Sequence, residues 1–169
     1  INFVTLHTWP QAYGYGVATA DRDASKANHE GDKYREFEMK YIVDHTVNAP
    51  EYSDQADWLM MGDFNSRSMV DEWHYKEAAT KPTQYRCQNV IKDNTTLVDI
   101  IANVYPGYFV ASTGGSRIDY MYASPSMYSK VKNAITVIDS YTVIYSDTKY
   151  GTGFCFPSDH RPIIVDFEL

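Results

Sequence analysis

The sequence predicts an α/β fold, and two patterns lead to that prediction. Short apolar runs of strand length recur along the whole chain and crowd together in its second half. Two segments with apolar residues at helical spacing lie among the earlier runs. Because helices placed early and strands in close succession favour layers of sheet and helix, we expect α/β layering instead of an all-helical or sandwich fold.

The first half of the chain predicts two strands. Residues 1–7 (INFVTLH) have the side-chain pattern of a strand that carries a polar group at its end, and a polar loop is expected from residue 9 to about residue 31. Residues 58–61 (WLMM) form a continuous apolar run that predicts a buried strand ending at Gly62. A second polar segment runs from there to Asp93.

Two segments predict amphipathic helices. The first covers residues 33–47, and the apolar side chains at helical spacing are Tyr34, Phe37, Tyr41 and Ile42. The second follows Thr95 and Thr96 and stops at Pro106. Its apolar residues are Leu97, Ile100, Ile101 and Val104.

The rest of the chain predicts short strands. The runs cover residues 108–111, 118–123, 134–138, 141–145 and 163–167. With 169 residues, 44% of them hydrophobic and 22% charged, the chain has the size and composition of one globular domain, so we treat residues 1–169 as a single unit. Its apolar runs are far shorter than the roughly 20 residues of a membrane-spanning helix.

Charge and cysteine content restrict the chemistry. The 15 Lys and Arg against 22 Asp and Glu give a net charge of −7, so any phosphate-bearing substrate must be held locally and not by a general basic surface. Carboxylates in such excess would be expected if several of them surround a divalent cation. Cys87 and Cys155 form no CxxC pair, and two buried thiols or one disulfide remain equally open.

Four clusters of polar residues lie at the edges of predicted strands. The first is GDFN (residues 62–65), whose Asp63 and Asn65 follow a buried strand and can leave on the same side of the sheet, although an Asx turn would give the same pattern. The second is RIDY (residues 117–120), where a structural ion pair between Arg117 and Asp119 on one strand face would account for the pattern.

The third cluster is SDHRP (residues 158–162), where Asp159 and His160 point to opposite sides of an extended segment. The fourth is His7, which by itself would be an ordinary histidine at a strand end. Taken together, the carboxylates, the amide and the two histidines are the groups that divalent-metal phosphoryl chemistry requires.

With these four motifs in their order along the chain, the sequence resembles the endonuclease/exonuclease/phosphatase superfamily, whose fold is deoxyribonuclease I-like. The resemblance covers almost the whole chain but only the C-terminal half of the family domain. It implies half of a four-layer α/β sandwich, with a mixed, mostly antiparallel sheet and helices on one face. It also implies a hydrolase that uses Mg²⁺, or alternatively Mn²⁺, to cleave phosphodiesters or phosphomonoesters.

The resemblance assigns a role to each matching residue. Asp63 would orient or deprotonate the attacking water, and Asn65 would hold water or a phosphate oxygen. His160 would contact the scissile phosphate while hydrogen-bonded to Asp119, and His7 would be the general acid beside the leaving group. Asp159 would help hold the metal, with Asp63 and Asn65 as the further metal-holding residues.

One part of the family pattern has no match. The family's N-terminal half supplies an Asn and a principal Glu metal ligand, and Glu30, Glu36 and Glu38 lie in the wrong place to replace that Glu. We therefore expect this chain alone to bind metal weakly and to have little activity unless the missing half is supplied. The sheet surface that this half would cover is expected to be exposed and could instead form a homodimer.

Two function classes are carried forward: a catalytic phosphoesterase and a non-catalytic binding or scaffold module that keeps the fold. The substrate is left open among nucleic acid, a lipid headgroup and a small phosphate ester. For the compartment there is only a lean to secreted or periplasmic, which rests on how the chain starts and on its Tyr-rich loops.

Overall fold

The computed structural model describes residues 1–75, 82–138, 143–147, 151–155 and 158–169. At its centre lies a four-stranded sheet of strand order β1-β2-β4-β3. Its strands are β1 (Asn2–His7), β2 (Trp58–Asp63), β3 (Val98–Asp99) and β4 (Asp119–Ala123). β1 and β2 are parallel and the other two pairs are antiparallel, so the sheet is mixed and mostly antiparallel.

Helices connect the parallel pair, as a crossover requires. They are α1 (Arg22–Ala27) and α2 (Glu30–Asp44). α2 packs against α3 (Arg86–Asn94), and both cover one face of the sheet. The core there buries side chains from α2, β2, α3 and β4, namely Met39, Val43, Met60, Cys87, Ile91 and Tyr122.

The opposite face of the sheet carries a second core. It contains side chains from α4 (Ile100–Val104) and α5 (Pro125–Tyr128), and it packs against an antiparallel pair formed by β5 (Val131–Thr136) and β8 (Ile163–Phe167). A separate antiparallel pair consists of β6 (Val143–Asp147) and β7 (Gly151–Cys155). The predicted α/β class is confirmed, with the two longest helices of the described residues on one face of the mixed sheet.

Several element boundaries agree with the sequence patterns. β8 covers the predicted residues, β1 nearly so, and β2 runs two residues beyond the predicted strand. The predicted strand at residues 108–111 is wrong, because these residues are not in a strand. Of the strand predicted at residues 141–145, residues 141–142 lie outside the described part, and β6 begins at residue 143.

Half of the predicted apolar face of α2 is wrong, although Ile42 packs against the core and Tyr34 is half-buried. Phe37 and Tyr41 are 64% and 58% exposed, whereas Met39 and Val43 are fully buried. Because apolar residues lie on more than one side of this helix, spacing alone did not show which side meets the sheet. Part of the aromatic side packs instead on the preceding loop, where Tyr34 stacks on Tyr15 with ring centroids 5.3 Å apart.

Two helices lie in segments that the sequence analysis treated as polar loops. These are α1 and α3, and α3 buries Cys87 and Ile91, which are four positions apart. The predicted helix after Thr95 is shorter than expected: it begins at Ile100, and the Asp99 carboxylate caps it by accepting the N–H of Ala102. Cys87 is a free thiol, and burial raises its pKa to about 12.

Within the described residues, no helix has both the length and the apolar character needed to cross a bilayer.

Candidate active site

Strand register brings three of the predicted site residues side by side. His7 on β1 lies opposite Asp63 on β2, and Asp63 lies opposite Asp119 on β4. Gly62 allows the close approach of β1 and β2: its φ is +143°, and a Cβ there would lie 1.9 Å from the Leu6 carbonyl oxygen. Only glycine fits this position, so the residue before Asp63 is part of what brings the strands together.

His160 is held by Asp119. Its Nδ1 lies 2.9 and 3.0 Å from the two carboxylate oxygens of Asp119 and 4.0 Å from Oδ2 of Asp63. The segment that carries His160 is fixed by its neighbour Arg161, whose backbone N–H donates to the Ser112 carbonyl over 2.7 Å. The SDHRP motif is therefore tied to the loop that precedes β4.

Asp63 and Asn65 form an Asx turn and still face the site. The Asn65 backbone N–H donates to Oδ1 of Asp63 over 2.8 Å, and Asn65 has a left-handed φ of +45°. Its side-chain Nδ2 donates to the Thr8 carbonyl over 3.2 Å. Because the turn uses Oδ1 of Asp63, Oδ2 remains turned toward His7 and His160.

His7 is the most exposed of these groups. Its side chain is 64% exposed, and its Nε2 lies 3.6 Å from Oδ2 of Asp63, too far for a hydrogen bond. The imidazole is thus adjacent to the carboxylate pair and open to solvent.

The two carboxylates and the histidine shift one another's ionisation. Burial raises the pKa of Asp63; the Asn65 N–H lowers it in part, and the Asp119 charge raises it further. For His160, burial lowers the pKa, but the hydrogen bond and charge of Asp119, with the charges of Asp63 and Asp159, raise it overall. The site therefore favours a proton on His160 and disfavours a second charge beside Asp119.

These residues offer donors that suit a cation. One ligand atom each from Asp63, Asp119 and His160 lies within 4.8 Å of the others. Carboxylate oxygens are the ligands that Mg²⁺ prefers. The raised pKa of Asp63 means that its negative charge is unfavourable in this site, and a bound cation would stabilise that charge. Asp159 is exposed and lies outside this group of three.

The three glutamates of α2 are engaged elsewhere. Glu30 accepts from Ser25, Glu36 pairs with Arg86, and Glu38 accepts the backbone N–H of Trp9. None of them belongs to the described metal-ligand group.

The Arg117–Asp119 ion pair that the sequence suggested is wrong. Arg117 precedes β4, and its guanidinium donates to Asp71 over 2.8 Å and to Asp99 over 2.7 Å. Because Arg117 bonds Asp71 and Asp99, it does not pair with Asp119, whose carboxylate instead bonds His160. The strand-face argument failed because Arg117 lies outside the strand.

Sequence reasoning missed Ser112. This residue is 1% exposed, and its hydroxyl donates to Oδ2 of Asp119 over 2.6 Å while accepting the backbone N–H groups of Ile118 and Asp119. The available signal was Gly114-Gly115, a tight turn that folds residues 112 and 113 back onto Ser116. The hydroxyl fixes the carboxylate that in turn holds His160.

Comparison with known proteins gives structural matches only. No protein-family model and no curated protein sequence matches the chain. An AP endonuclease from Archaeoglobus fulgidus superposes with a TM-score of 0.63 at 13% identity, covering 99% of this chain and 61% of that one. The 3'-5' exonuclease NExo from Neisseria meningitidis gives a TM-score of 0.56 at 16% identity, with the same two coverages.

A 3' phosphatase NExo from Neisseria, bound to a product DNA hairpin, gives a TM-score of 0.51 at 18% identity and covers 87% of this chain. The chain spans 61% of the length of the AP endonuclease and 56% of this phosphatase. At these identities the likeness establishes the fold alone. The chain has the α/β fold of this AP endonuclease and of NExo.

Proposed function

We propose that this chain carries most of the active site of a divalent-metal-dependent phosphoesterase. The observation that carries the proposal is the convergence of Asp63, Asp119 and His160 within 4.8 Å, with His7 in register beside them. The solved structures that share the fold include an AP endonuclease and an exonuclease, which supports the same class of reaction.

The proposed metal is Mg²⁺, with Mn²⁺ as the alternative. Asp63 and Asn65 would hold it, and Asp159, which lies outside the group of three, would be a further ligand from the SDHRP segment. The cation would neutralise charge on the phosphate. Asp119 adds a further carboxylate within reach of Asp63. This set of oxygen donors fits a hard divalent cation.

The protein groups supply proton transfer and orientation. Oδ2 of Asp63 is not used by the Asx turn, so it can accept a proton from the attacking water. Asp119 holds Nδ1 of His160, which directs Nε2 to donate to a phosphate oxygen. His7, which is exposed and adjacent, would protonate the leaving oxygen.

We further propose that a second protein segment completes the site. β1 is the terminal strand of the described sheet, and Ile1 and Phe3 are 51% and 63% exposed. An uncovered strand with exposed apolar side chains is a surface on which another sheet element can pack. The segment we propose is the part of the domain that corresponds to the unmatched portion of the AP endonuclease, with a second copy of this chain as the competing occupant.

The test is hydrolysis of bis-p-nitrophenyl phosphate with Mg²⁺ or Mn²⁺, by this chain alone and by the chain extended upstream. We expect little turnover by the chain alone, and metal-dependent turnover by the longer protein that Asp63→Asn and His160→Gln abolish. Matched substitutions at exposed residues, Asp54→Asn and His45→Gln, should leave the turnover unchanged.

Two results would contradict these proposals, one for the second segment and one for the enzymatic function. Turnover by the chain alone, lost in both site variants, would show that no second segment is needed. Absence of turnover in the extended protein would favour the non-catalytic scaffold.

A further inference from the structure

A second cleft adjoins the candidate active site. It has a volume of about 280 Å³ and lies between the segment around α1 and the loop that follows β2. Its charged or polar lining side chains include Lys26, His29, Asp32, Arg35, Asn65 and Arg67. Asn65 belongs to both places, since its backbone N–H is bonded to Asp63.

Cations outnumber carboxylates in this cleft. Arg35 and Asp32 form a close pair with an N–O distance of 2.6 Å, so their charges offset each other. Among the described residues, Lys26 pairs with Asp23, a carboxylate that is 95% exposed, and such a surface pair adds little. Arg67 makes no ion pair with a carboxylate among the described residues. Within the part of the chain that the structure describes, no buried carboxylate neutralises Lys26 or Arg67, in a protein whose net charge is −7.

Arg67 is already held in place. Its guanidinium carbon lies 4.4 Å from the centre of the Tyr75 ring, and Nη2 donates to the Ser116 hydroxyl over 3.1 Å. A guanidinium carries five N–H donors, and this contact occupies only one of its nitrogens. Because the side chain is fixed before anything binds, little entropy is lost when an anion takes the remaining donors.

His29 adds a backbone feature to the same wall. It precedes α2 with a left-handed φ of 55°, which is uncommon for a residue other than glycine. Its Nδ1 lies 3.8 Å from Asp32. Backbone strain of this kind persists where the surroundings enforce it, and it clusters at binding sites.

We propose that this cleft binds a second phosphate group of the substrate, so that the preferred substrate carries two phosphates and the one beside Asp63 is hydrolysed. This inference rests on the proposed phosphoesterase function and narrows its substrate class. The cleft volume of about 280 Å³ leaves room for a phosphate with its linking atoms. Arg67 and Lys26 are the residues that select the second phosphate.

The test measures binding without metal, so that it does not depend on catalysis. Titration calorimetry in EDTA compares thymidine 3',5'-bisphosphate with thymidine 5'-monophosphate, and glucose 1,6-bisphosphate with glucose 6-phosphate. We expect the wild-type chain to bind at least one bisphosphate about tenfold more tightly than its monophosphate. The pair with the larger preference identifies a nucleotide or a sugar as the source of the second phosphate.

The variants locate the preference. Arg67→Gln should abolish it and Lys26→Gln should reduce it about threefold, whereas Lys40→Gln, an exposed cation on α2, should leave it unchanged. Arg67→Gln loses the contact with Tyr75 and could destabilise the fold. Lys26 is exposed and contacts a surface carboxylate, so Lys26→Gln tests the cleft without that complication.

Equal affinity for both members of each pair would overturn the proposal, as would a preference that survives both substitutions. A clear bisphosphate preference, together with no phosphodiester hydrolysis by the chain extended upstream, would support the cleft and contradict the proposed enzymatic function instead.

Discussion

Two clusters in this chain are built from the same groups, two carboxylates and one basic side chain, and they behave differently. In the first, Arg117 bonds both Asp71 and Asp99 and is 3% exposed. In the second, His160 bonds Asp119 but lies 4.0 Å from Asp63, and its side chain is 32% exposed. Both clusters combine two acidic side chains with one basic side chain. They differ in how deeply the basic side chain is buried and in how many of its carboxylate partners it hydrogen-bonds.

The ionisation of the basic group follows from this difference. Burial acts to lower the pKa of Arg117, but the charges of Asp99 and Asp71 raise it above its ordinary value, so the guanidinium stays charged. The pKa of His160 is also raised, yet an imidazole can release its proton near neutral pH. The first cluster is a structural ion-pair network that stays charged, and the second can exchange protons with a substrate.

The largest expected effect on the free energy of unfolding comes from removing Arg117. Arg117→Met leaves Asp71 and Asp99 without their cation, and breaking a buried pair in this way costs about 3–5 kcal/mol. Urea unfolding followed by circular dichroism measures the loss. Arg86→Met, which removes the exposed pair with Glu36, is the control and should cost less than about 1 kcal/mol. An equally small loss of unfolding free energy in Arg117→Met would show that the buried cluster stabilises the fold no more than an exposed ion pair does.

Ser112→Ala should have the next largest effect. The hydroxyl accepts two backbone N–H groups and donates to the Asp119 carboxylate, and losing these bonds at a buried position should cost about 2 kcal/mol. Thermal unfolding checks the value against Ser129→Ala, whose exposed hydroxyl donates only to the Ser126 carbonyl. Equal melting temperatures for the two variants would show that Ser112 does not support the site.

Asp63→Asn should stabilise the metal-free protein by about 1 kcal/mol at pH 7 while abolishing hydrolysis. Burial, with the Asp119 charge, raises the folded-state pKa of Asp63, so ionisation of this carboxyl destabilises the folded protein as the pH rises toward that value. The asparagine carbonyl can still accept the Asn65 N–H.

The pH dependence provides the check on this prediction. Unfolding in EDTA should show the gain of Asp63→Asn shrinking as the pH falls and wild-type Asp63 becomes protonated. Asp54→Asn, at an exposed carboxylate, should show no such trend. A gain that persists at low pH would mean that charge is not its cause.

The smallest effect on stability is expected for His7→Gln, within about 0.5 kcal/mol, because the side chain is exposed and its nearest carboxylate is beyond hydrogen-bond distance. Its effect on catalysis should depend on the leaving group. Hydrolysis of an alkyl phosphodiester should fall about 100-fold, while release of p-nitrophenolate, which needs no proton, should change little. An equal loss on both substrates would remove His7 from the role of general acid.

The amino-acid sequence predicted the sheet better than the helices around it. β2 and β8 were found because a short apolar run bounded by turn residues is typical of a strand. α3 was missed because Cys87 was considered for its thiol and not as one of the apolar positions of a helix. The buried side of α2 could not be chosen because aromatic residues also occupy its exposed side.

Four of the predicted site residues lie close together in the structure, but their pairing was not predictable. The four sequence motifs led us to expect His7, Asp63, Asp119 and His160 together, and strand register explains why three of them are neighbours. The partners of Arg117 could not be predicted, since Asp71 and Asp99 come from distant segments with no motif of their own.

The hydrogen bond from Arg161 to the Ser112 carbonyl joins a late segment of the chain to an earlier one, so the site is complete only when the late segment is present. His160 follows His7, Asp63 and Asp119 in the sequence, so it leaves the ribosome after them. β8 emerges later still and must pair with β5. A nascent chain can therefore bring its carboxylates together on β2 and β4 before it has the imidazole that they hold.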